Sequence, residues 1–518
     1  MENGPSKAGK SGEAGSMKDR LEKPPLPPGN RLARYTLWNL AGMCAPIVVA
    51  LFAMPPIIHG LGEDRFGLLS MVWMLVGYFT ILDLGVGRAL TRLAAEKIGL
   101  GREEELPALF WTACAVMVAL GTCAAVAVVA CAPWLVSVLK VPPPLQSETL
   151  RSFQTVAFSL PVVVMTAGMI GMLEAQQKFA LINAVRVPLG TFTFLGPLLV
   201  LPFSKNLWAV VLVLLAGRLA EWLVYFTLCL RVVPALRRGF HWKRQYARPL
   251  MTTGGWITVS TLLMPLMVHV DRFLIGGIVA VGAVTYYATP SEIVVKLLIF
   301  PRAWVAVLFP TFAAHFKDRQ TATSELFARS FTWLWALLFP LAMVLVAFAP
   351  EGFSLWLGAT FAEQSAPVMR WLTAGVFVYC LAWIPFSFLQ GIGRPDIPAR
   401  VHLVEFPLYV TLASGLIRWF GIVGAAMAWL VRALLELAVM LACARPFAPV
   451  LGQYTRRWTI AALLVTALFV VVATPASPLV RLAATGCGLL IWVAVAWLYL
   501  LTSEERASLV ANWKSKPQ

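Results

Sequence analysis

From about residue 34 onward, apolar runs of about 18 to 30 residues alternate with short polar breaks, and each run has the length a helix needs to cross a bilayer. Fourteen such runs can be drawn, at approximately 34–59, 66–90, 107–132, 151–174, 179–203, 207–232, 249–279, 283–314, 329–350, 369–392, 400–418, 421–445, 458–475 and 479–502. Strands of a membrane barrel would instead show ten-residue segments of alternating polarity, and that pattern is absent. The expectation is therefore an all-α polytopic membrane protein with about fourteen transmembrane helices. Residues 1–32, rich in Gly, Ser, Pro and Lys and ending in Pro24-Pro25-Leu26-Pro27-Pro28, read as a disordered cytoplasmic tail, and no removable signal peptide is seen.

The breaks differ in charge according to their parity. The tail, the even-numbered breaks with the helix ends bordering them, and the C-terminus hold 30 of the 42 Lys and Arg residues. The odd-numbered breaks hold seven, namely Arg65, Lys140, Arg151, Lys205, Arg370, Arg418 and Arg481, and five more lie inside runs. Basic residues gather on the cytoplasmic side of membrane proteins, so both termini are expected there, with an even number of crossings. The implied location is a bacterial cytoplasmic (inner) membrane.

An internal repeat organises the runs. An offset of 214 pairs Arg88 with Arg302, Gly62 with Gly276, Leu84 with Leu298, Ala89 with Ala303 and Arg218 with Arg432. Arg218 and Arg432 are each followed one turn later by a glutamate, Glu221 and Glu436. Runs 1–6 and 7–12 thus read as duplicated six-helix lobes (33–240 and 241–450), followed by two further helices and a cytoplasmic end (451–518). Six is even, so both copies enter the membrane in the same direction, as in transporters built from parallel repeats.

Composition narrows the function classes. Hydrophobic residues make up 59% of the 518 residues and charged residues 13%, with a mean hydropathy of +0.77. No soluble enzyme of this size could cover so much apolar surface. A net charge of +17 would suggest nucleic acid in a soluble chain, but here the charges sit between apolar runs, so no nucleic-acid partner is expected. The eight cysteines form no CxxC pair and the five histidines no HExxH, so no metal and no catalytic residues are expected.

Charge inside a membrane helix costs about 2.5–3.5 kcal/mol per residue on insertion scales, so each such residue needs a partner or a wet cavity. Asp83 and Arg88 lie in run two, Asp271 and Arg272 in run seven, Glu292, Lys296 and Arg302 in run eight, and Glu405 in run eleven. Glu292 and Lys296 share a helix face, and Arg302 lies roughly 9 Å further along the axis. Stacked cations suit an anionic headgroup such as a pyrophosphate, whereas Glu292 and Lys296 could equally neutralise one another. Arg218 with Glu221 and Arg432 with Glu436 read chiefly as self-neutralising packing pairs. Asp83 could bind a coupling proton or sodium, or fix a helix end. Pro46, Pro55-Pro56, Pro161, Pro188, Pro265, Pro290, Pro301 and Pro310 should bend or break their helices. Tyr286-Tyr287 and Trp304 could stack on sugar rings, while Trp134, Trp208, Trp242 and Trp458 read as an interfacial belt.

Several segments, in this order and spacing, resemble the polysaccharide transporters of the superfamily that also holds multidrug exporters and lipid II flippases. In the first lobe they are Gly60-Leu61-Gly62-Glu63-Asp64-Arg65-Phe66-Gly67-Leu68 and Asp83-Leu84-Gly85-Val86-Gly87-Arg88-Ala89-Leu90. In the second they are Asp271-Arg272-Phe273-Leu274-Ile275-Gly276, Tyr286-Tyr287-Ala288-Thr289-Pro290, Leu308-Phe309-Pro310, Gln390-Gly391-Ile392-Gly393-Arg394-Pro395 and Gly421-Ile422-Val423-Gly424-Ala425-Ala426. The likeness runs from about residue 33 to 450. It implies a flippase that moves undecaprenyl-pyrophosphate-linked oligosaccharide across the inner membrane for O-antigen, exopolysaccharide or capsule synthesis, in a bilayer whose lipids it contacts and with a polymerase or ligase downstream. It also implies a V-shaped pair of lobes working by alternating access, a cationic cavity to which Arg272, Lys296, Arg302 and Arg88 are the fitting positions, and coupling to H+ or Na+ with Asp83, Glu292 and Asp271 as the candidate acids. No cofactor is implied.

The rivals are a lipid II flippase or a multidrug or organic-cation antiporter of the same fold, the latter preferring an acidic, aromatic cavity. A membrane glycosyltransferase, polymerase or ligase would need a sizeable external loop or an acidic cluster. The longest external break, about 351–368, holds only Glu351 and Glu363 as acids.

Overall fold

The structure is a computed structural model that describes residues 46, 48–79, 86–239, 241–246, 255–316, 320–474, 477–500 and 506. Among the described residues the regular structure is entirely helical, and a helix occupies the position of each of the fourteen runs. The first lobe comprises α1 (Val48–Leu61), α2 (Glu63–Phe79), α3 (Val86–Gly99), α4 (Leu106–Val138), α5 (Pro143–Ala175), α6 (Phe179–Val200) and α7 (Leu207–Val232). The second comprises α8 (Gly255–Ile278), α9 (Val281–Val294), α10 (Ile299–His315), α11 (Gln320–Ala347), α12 (Ala349–Leu357), α13 (Ala359–Gly391) and α14 (Asp396–Ala444). Two further helices, α15 (Leu451–Ala473) and α16 (Pro478–Val495), pack against α11. Ten described helices are long and apolar enough to cross a membrane.

Three local departures from the run pattern have identifiable causes. The long helix α14 contains two runs, because Gly421 at φ 60° and ψ −140° folds it back on itself. That conformation is open to glycine and costly for any residue with a Cβ. His402 and Glu436 on its two arms consequently touch, though 34 residues apart. Run eight is interrupted by a 3-10 turn, Val295–Leu298, between α9 and α10. Pro301 has no N–H to offer the carbonyl four residues back, so the helix tightens just before it, and Lys296 lies on that turn. The expected external break at 351–368 is itself helical, forming α12 and the first turns of α13, so less irregular chain is exposed there than the run lengths suggested.

The two lobes do not meet uniformly. One buried core contains Ala53 to Val72 and Val136 to Phe153 of the first lobe together with most of the second lobe. These first-lobe residues belong to the helix ends beside the basic-poor breaks. A separate core, Val86 to Tyr246, belongs to the first lobe alone and lies toward the basic-rich end. The lobes are thus fused at the basic-poor end and have independent interiors at the other, the arrangement of a V.

Candidate functional site

The fused end is built from the segments that carry the family likeness. The α2 segment from Glu63 packs on α9, with Gly67 so close to the Val281 carbonyl that a Cβ would collide with it. A Cβ on Gly282 would come within 2.6 Å of Asp64 Oδ1, and one on Gly276 within 2.5 Å of Met71 Cε. Three small residues therefore let the lobes approach to backbone contact. Polar contacts fix the register. Thr285 donates to the Glu63 carbonyl at 2.6 Å, Tyr286 donates to the Glu63 carboxylate, and the Lys140 amide donates to the Gly276 carbonyl at 3.0 Å. Lys140 Nζ donates to the Ile278 carbonyl, placing a cation at the C-terminal end of α8, where unsatisfied carbonyls and the helix dipole favour one.

Deeper along this seam lies Arg272, with 1% of its surface exposed. One of its terminal nitrogens donates to the Ser70 carbonyl of α2 at 3.2 Å and the other to Glu292 at 2.8 Å. Glu292 also stands 3.9 Å from Lys296, so the pair foreseen from their spacing is shared with a third charge from another helix. The side-chain exposure rises along this row, from 1% at Arg272 to 28% at Glu292 and 43% at Lys296. Arg302 is exposed and lies over the Trp383 ring, 5.8 Å from its centroid, apart from the other three. Arg88 lies in α3, its side chain outside the described residues, and Asp83 is outside them altogether. Asp271 points away from any accessible space, accepting hydrogen bonds from the Arg272 amide at 2.8 Å and from the Tyr287 hydroxyl.

Two aromatic expectations need correction. Tyr287 is fully buried and engaged with Asp271, so its ring is not presented to a sugar, whereas Tyr286, half-buried, is bound to Glu63 and packed on Phe361. Trp458 is not part of an interfacial belt, because it is buried and donates to Thr332 at 3.1 Å.

The repeated Arg–Glu pairs turn out differently in the two lobes. Arg218 and Glu221 pair at 2.8 Å and border a cavity of about 100 Å³ walled by Trp73, Phe192 and Leu214. Arg432 instead pairs with both Glu436 at 3.0 Å and Glu405 at 3.1 Å, and His402 lies 3.4 Å from Glu436. Trp429, Tyr379 and Tyr409 surround its guanidinium with ring centroids 4.6, 4.9 and 5.5 Å away. The distances among His402, Glu405 and Glu436 would also permit a metal, but the Arg432 guanidinium already engages both carboxylates.

The run pattern missed Glu63, Ser70, Lys140 and His402. A signal for Lys140 was present, since it is a basic residue on the side where basic residues are rare. Four of the seven such residues are held by protein groups: Lys140 by carbonyls, Arg65 by Glu148 at 3.0 Å, Arg481 by Glu351, and Arg370 by the Val346 carbonyl at 3.3 Å.

Residues 61–366, more than half of the chain, match the family described as polysaccharide biosynthesis protein. The chain belongs to that family. The matched residues include the seam segments from Glu63 to Tyr286 as well as Arg272, Glu292, Lys296 and Arg302. A Shigella flexneri protein described as "Putative O-antigen transporter" is 26% identical over 409 residues, covering 78% of this chain and 96% of that one. The membrane protein EpsK of Bacillus subtilis is 20% identical, covering 77% and 80%. In fold, this polysaccharide biosynthesis protein is similar to the lipid II flippase MurJ in an inward closed conformation, with a TM-score of 0.66 at 10% identity over 89% of this chain and 99% of the other. It is also similar to an inward-facing multidrug resistance MATE transporter, with a TM-score of 0.65 at 12% identity over 80% and 99%. These likenesses place the chain in the fold shared by both transporter types and identify it as a multi-pass membrane protein.

Proposed function

We propose that this protein is a flippase that carries an undecaprenyl-pyrophosphate-linked oligosaccharide from the cytoplasmic to the external leaflet of a bacterial inner membrane. The observation that carries this reading is the row of Arg272, Glu292 and Lys296, which begins at a closed seam between lobes and gains exposure away from it, with the further cation Arg302 exposed over Trp383 on the next helix. Guanidinium forks and an ammonium suit the oxygens of a pyrophosphate. The cationic substrate of an antiporter would be repelled by Lys296 and Arg302. The match along 96% of a protein named as an O-antigen transporter supports the glycan class.

On this reading the fused, basic-poor end faces outward, which the parity of the basic residues supports, and the protein works by alternating access. The headgroup enters between the separated ends, its phosphates pair with Lys296 and Arg302, and the lipid tail stays in the bilayer. Only the polar part then needs shielding, because hydrocarbon bears no transfer cost within lipid. Coupling to H+ or Na+ belongs to the same proposal. Of its two described candidate acids, Glu292 has exposed surface, whereas Asp271 is sealed by Tyr287 and the Arg272 amide. A polymerase or ligase would consume the product.

The reading is tested with purified protein in liposomes carrying fluorescent lipid-linked oligosaccharide, quenched from outside. Protein-dependent equilibration between leaflets that is lost in Lys296→Ala plus Arg302→Ala is the expected result. Equilibration at the protein-free rate would refute the flippase assignment.

A further inference from the structure

Arg272 occupies the one described place where the lobe seam and the cation row share a side chain. It holds the first lobe through the Ser70 carbonyl and the second through Glu292. Its Nε, buried, has no hydrogen-bond partner. The guanidinium therefore keeps a donor in reserve while its two ends are occupied. A charge-assisted bond walled off from water is strong, and breaking it without a substitute is costly. It becomes easy to break when another anion supplies acceptors.

We propose that Arg272 is a positioning residue that latches the outer seam, and that a pyrophosphate in the cavity releases it. This rests on the reading of the cavity as a pyrophosphate site. An anion drawn to Lys296 brings negative charge beside Glu292, which shares that lysine. Glu292 is repelled, and Arg272 gains phosphate oxygens as alternative acceptors. Turning toward them, Arg272 lets go of the Ser70 carbonyl. The other described polar contacts of the seam lie near the outer surface: the Lys140 bonds to the end of α8, the Thr285 and Tyr286 bonds to Glu63, and the Trp356 indole bond to the Leu51 carbonyl, beside the glycine packing and the shared apolar core. Water entering from outside can replace the polar members of that set. The empty protein stays shut to the outside, and the loaded protein is biased toward opening. By linkage, whatever factor the anion adds to opening, opening adds to anion affinity.

The test uses the full-length protein in lipid nanodiscs, native cysteines replaced, with spin labels at Phe203→Cys and Leu355→Cys. Both positions are 90% exposed and sit at the basic-poor ends of the two lobes. The probe is undecaprenyl pyrophosphate, with undecaprenol as the uncharged control, and binding is read separately by native mass spectrometry. In wild type the pyrophosphate lengthens the inter-label distance and the alcohol does not. Arg272→Gln shows the long distance without any ligand and no further shift. Glu292→Gln binds pyrophosphate but loses most of the ligand-driven shift, and it decides the matter if Arg272→Gln fails to fold. If wild type does not bind the pyrophosphate, the cavity reading and the latch fall together. If it binds, and both variants behave as wild type, only the latch falls.

Discussion

Arg218 and Arg432 stand 214 residues apart in the two lobes, each with a glutamate a turn away, and yet their surroundings are opposite. Arg218 is half-buried beside a small cavity and makes one ion pair with its own helix. Arg432 is sealed among three aromatic rings and ties both arms of α14 together through Glu405 and Glu436. The sequence holds the same kind of pair twice, 214 residues apart. In one lobe it remained a local neutralisation, whereas in the other it became the electrostatic centre of a helical hairpin. The lesson is that a charge inside a membrane helix does not announce its role by its position in a repeat; what lies across the helix decides it.

The largest effect should come from breaking the second-lobe pair. Arg432→Met leaves Glu405 and Glu436 buried without their cation, which costs about 3–5 kcal/mol. The expected result is a large fall in detergent melting temperature or failure to accumulate in the membrane. Replacing all three, Arg432→Met with Glu405→Gln and Glu436→Gln, should recover most of that loss, and if it does, the cluster is structural. Recovery of folding without recovery of transport would instead assign it a part in ion coupling.

Next in size is Gly67→Leu, which places a side chain against the Val281 carbonyl and props the seam open. Ser70→Cys, buried at the seam in the wild-type background, should then react with a membrane-impermeant maleimide from outside, and the overpacking should lower stability by about 1–3 kcal/mol, less than the loss at Arg432. Protection of that cysteine in the Gly67→Leu background would mean that the seam does not gate access.

Smaller again is the effect of single cation removal. Lys296→Ala and Arg302→Ala should each weaken pyrophosphate binding by about 1.5–3 kcal/mol, the worth of a hydrogen bond to a charged group, without moving the melting temperature. Titration of each variant with undecaprenyl pyrophosphate measures this. Equal affinity for the alcohol and the pyrophosphate would remove the cation row from the site.

The smallest effect belongs to Arg218→Met, where a part-exposed pair is worth about 0–1 kcal/mol. A thermal shift comparable with that of Arg432→Met would erase the contrast between the lobes.

The helices were legible in the sequence because run length and polarity are local properties. The breaks within them were legible only in part. Pro290, Pro301 and Pro310 marked run eight for disruption, and the 3-10 turn falls among them. The short helix α12 was not foreseen, because all but its first two residues lie within what length alone assigns to a polar connection. At the candidate site, Glu292 and Lys296 were readable as a pair from their spacing of four. The bond from Arg272 to Ser70 joins residues 202 positions apart, and periodicity carries no information over that distance. The family motifs did mark the seam, since Glu63, Gly67, Gly276 and Tyr286 all belong to them, although nothing in their order revealed that the segments meet.

The central claim is that this protein moves a lipid-linked glycan across the membrane, and leaflet location in cells tests it most directly. Cells lacking the protein and any redundant transporter should hold lipid-linked oligosaccharide on the cytoplasmic leaflet, shielded from an external periodate or lectin probe. Wild-type protein should restore exposure, and Lys296→Ala plus Arg302→Ala should not. An unchanged distribution in the deletion would contradict the account, and rescue by the double variant would leave the function standing while removing its cation site.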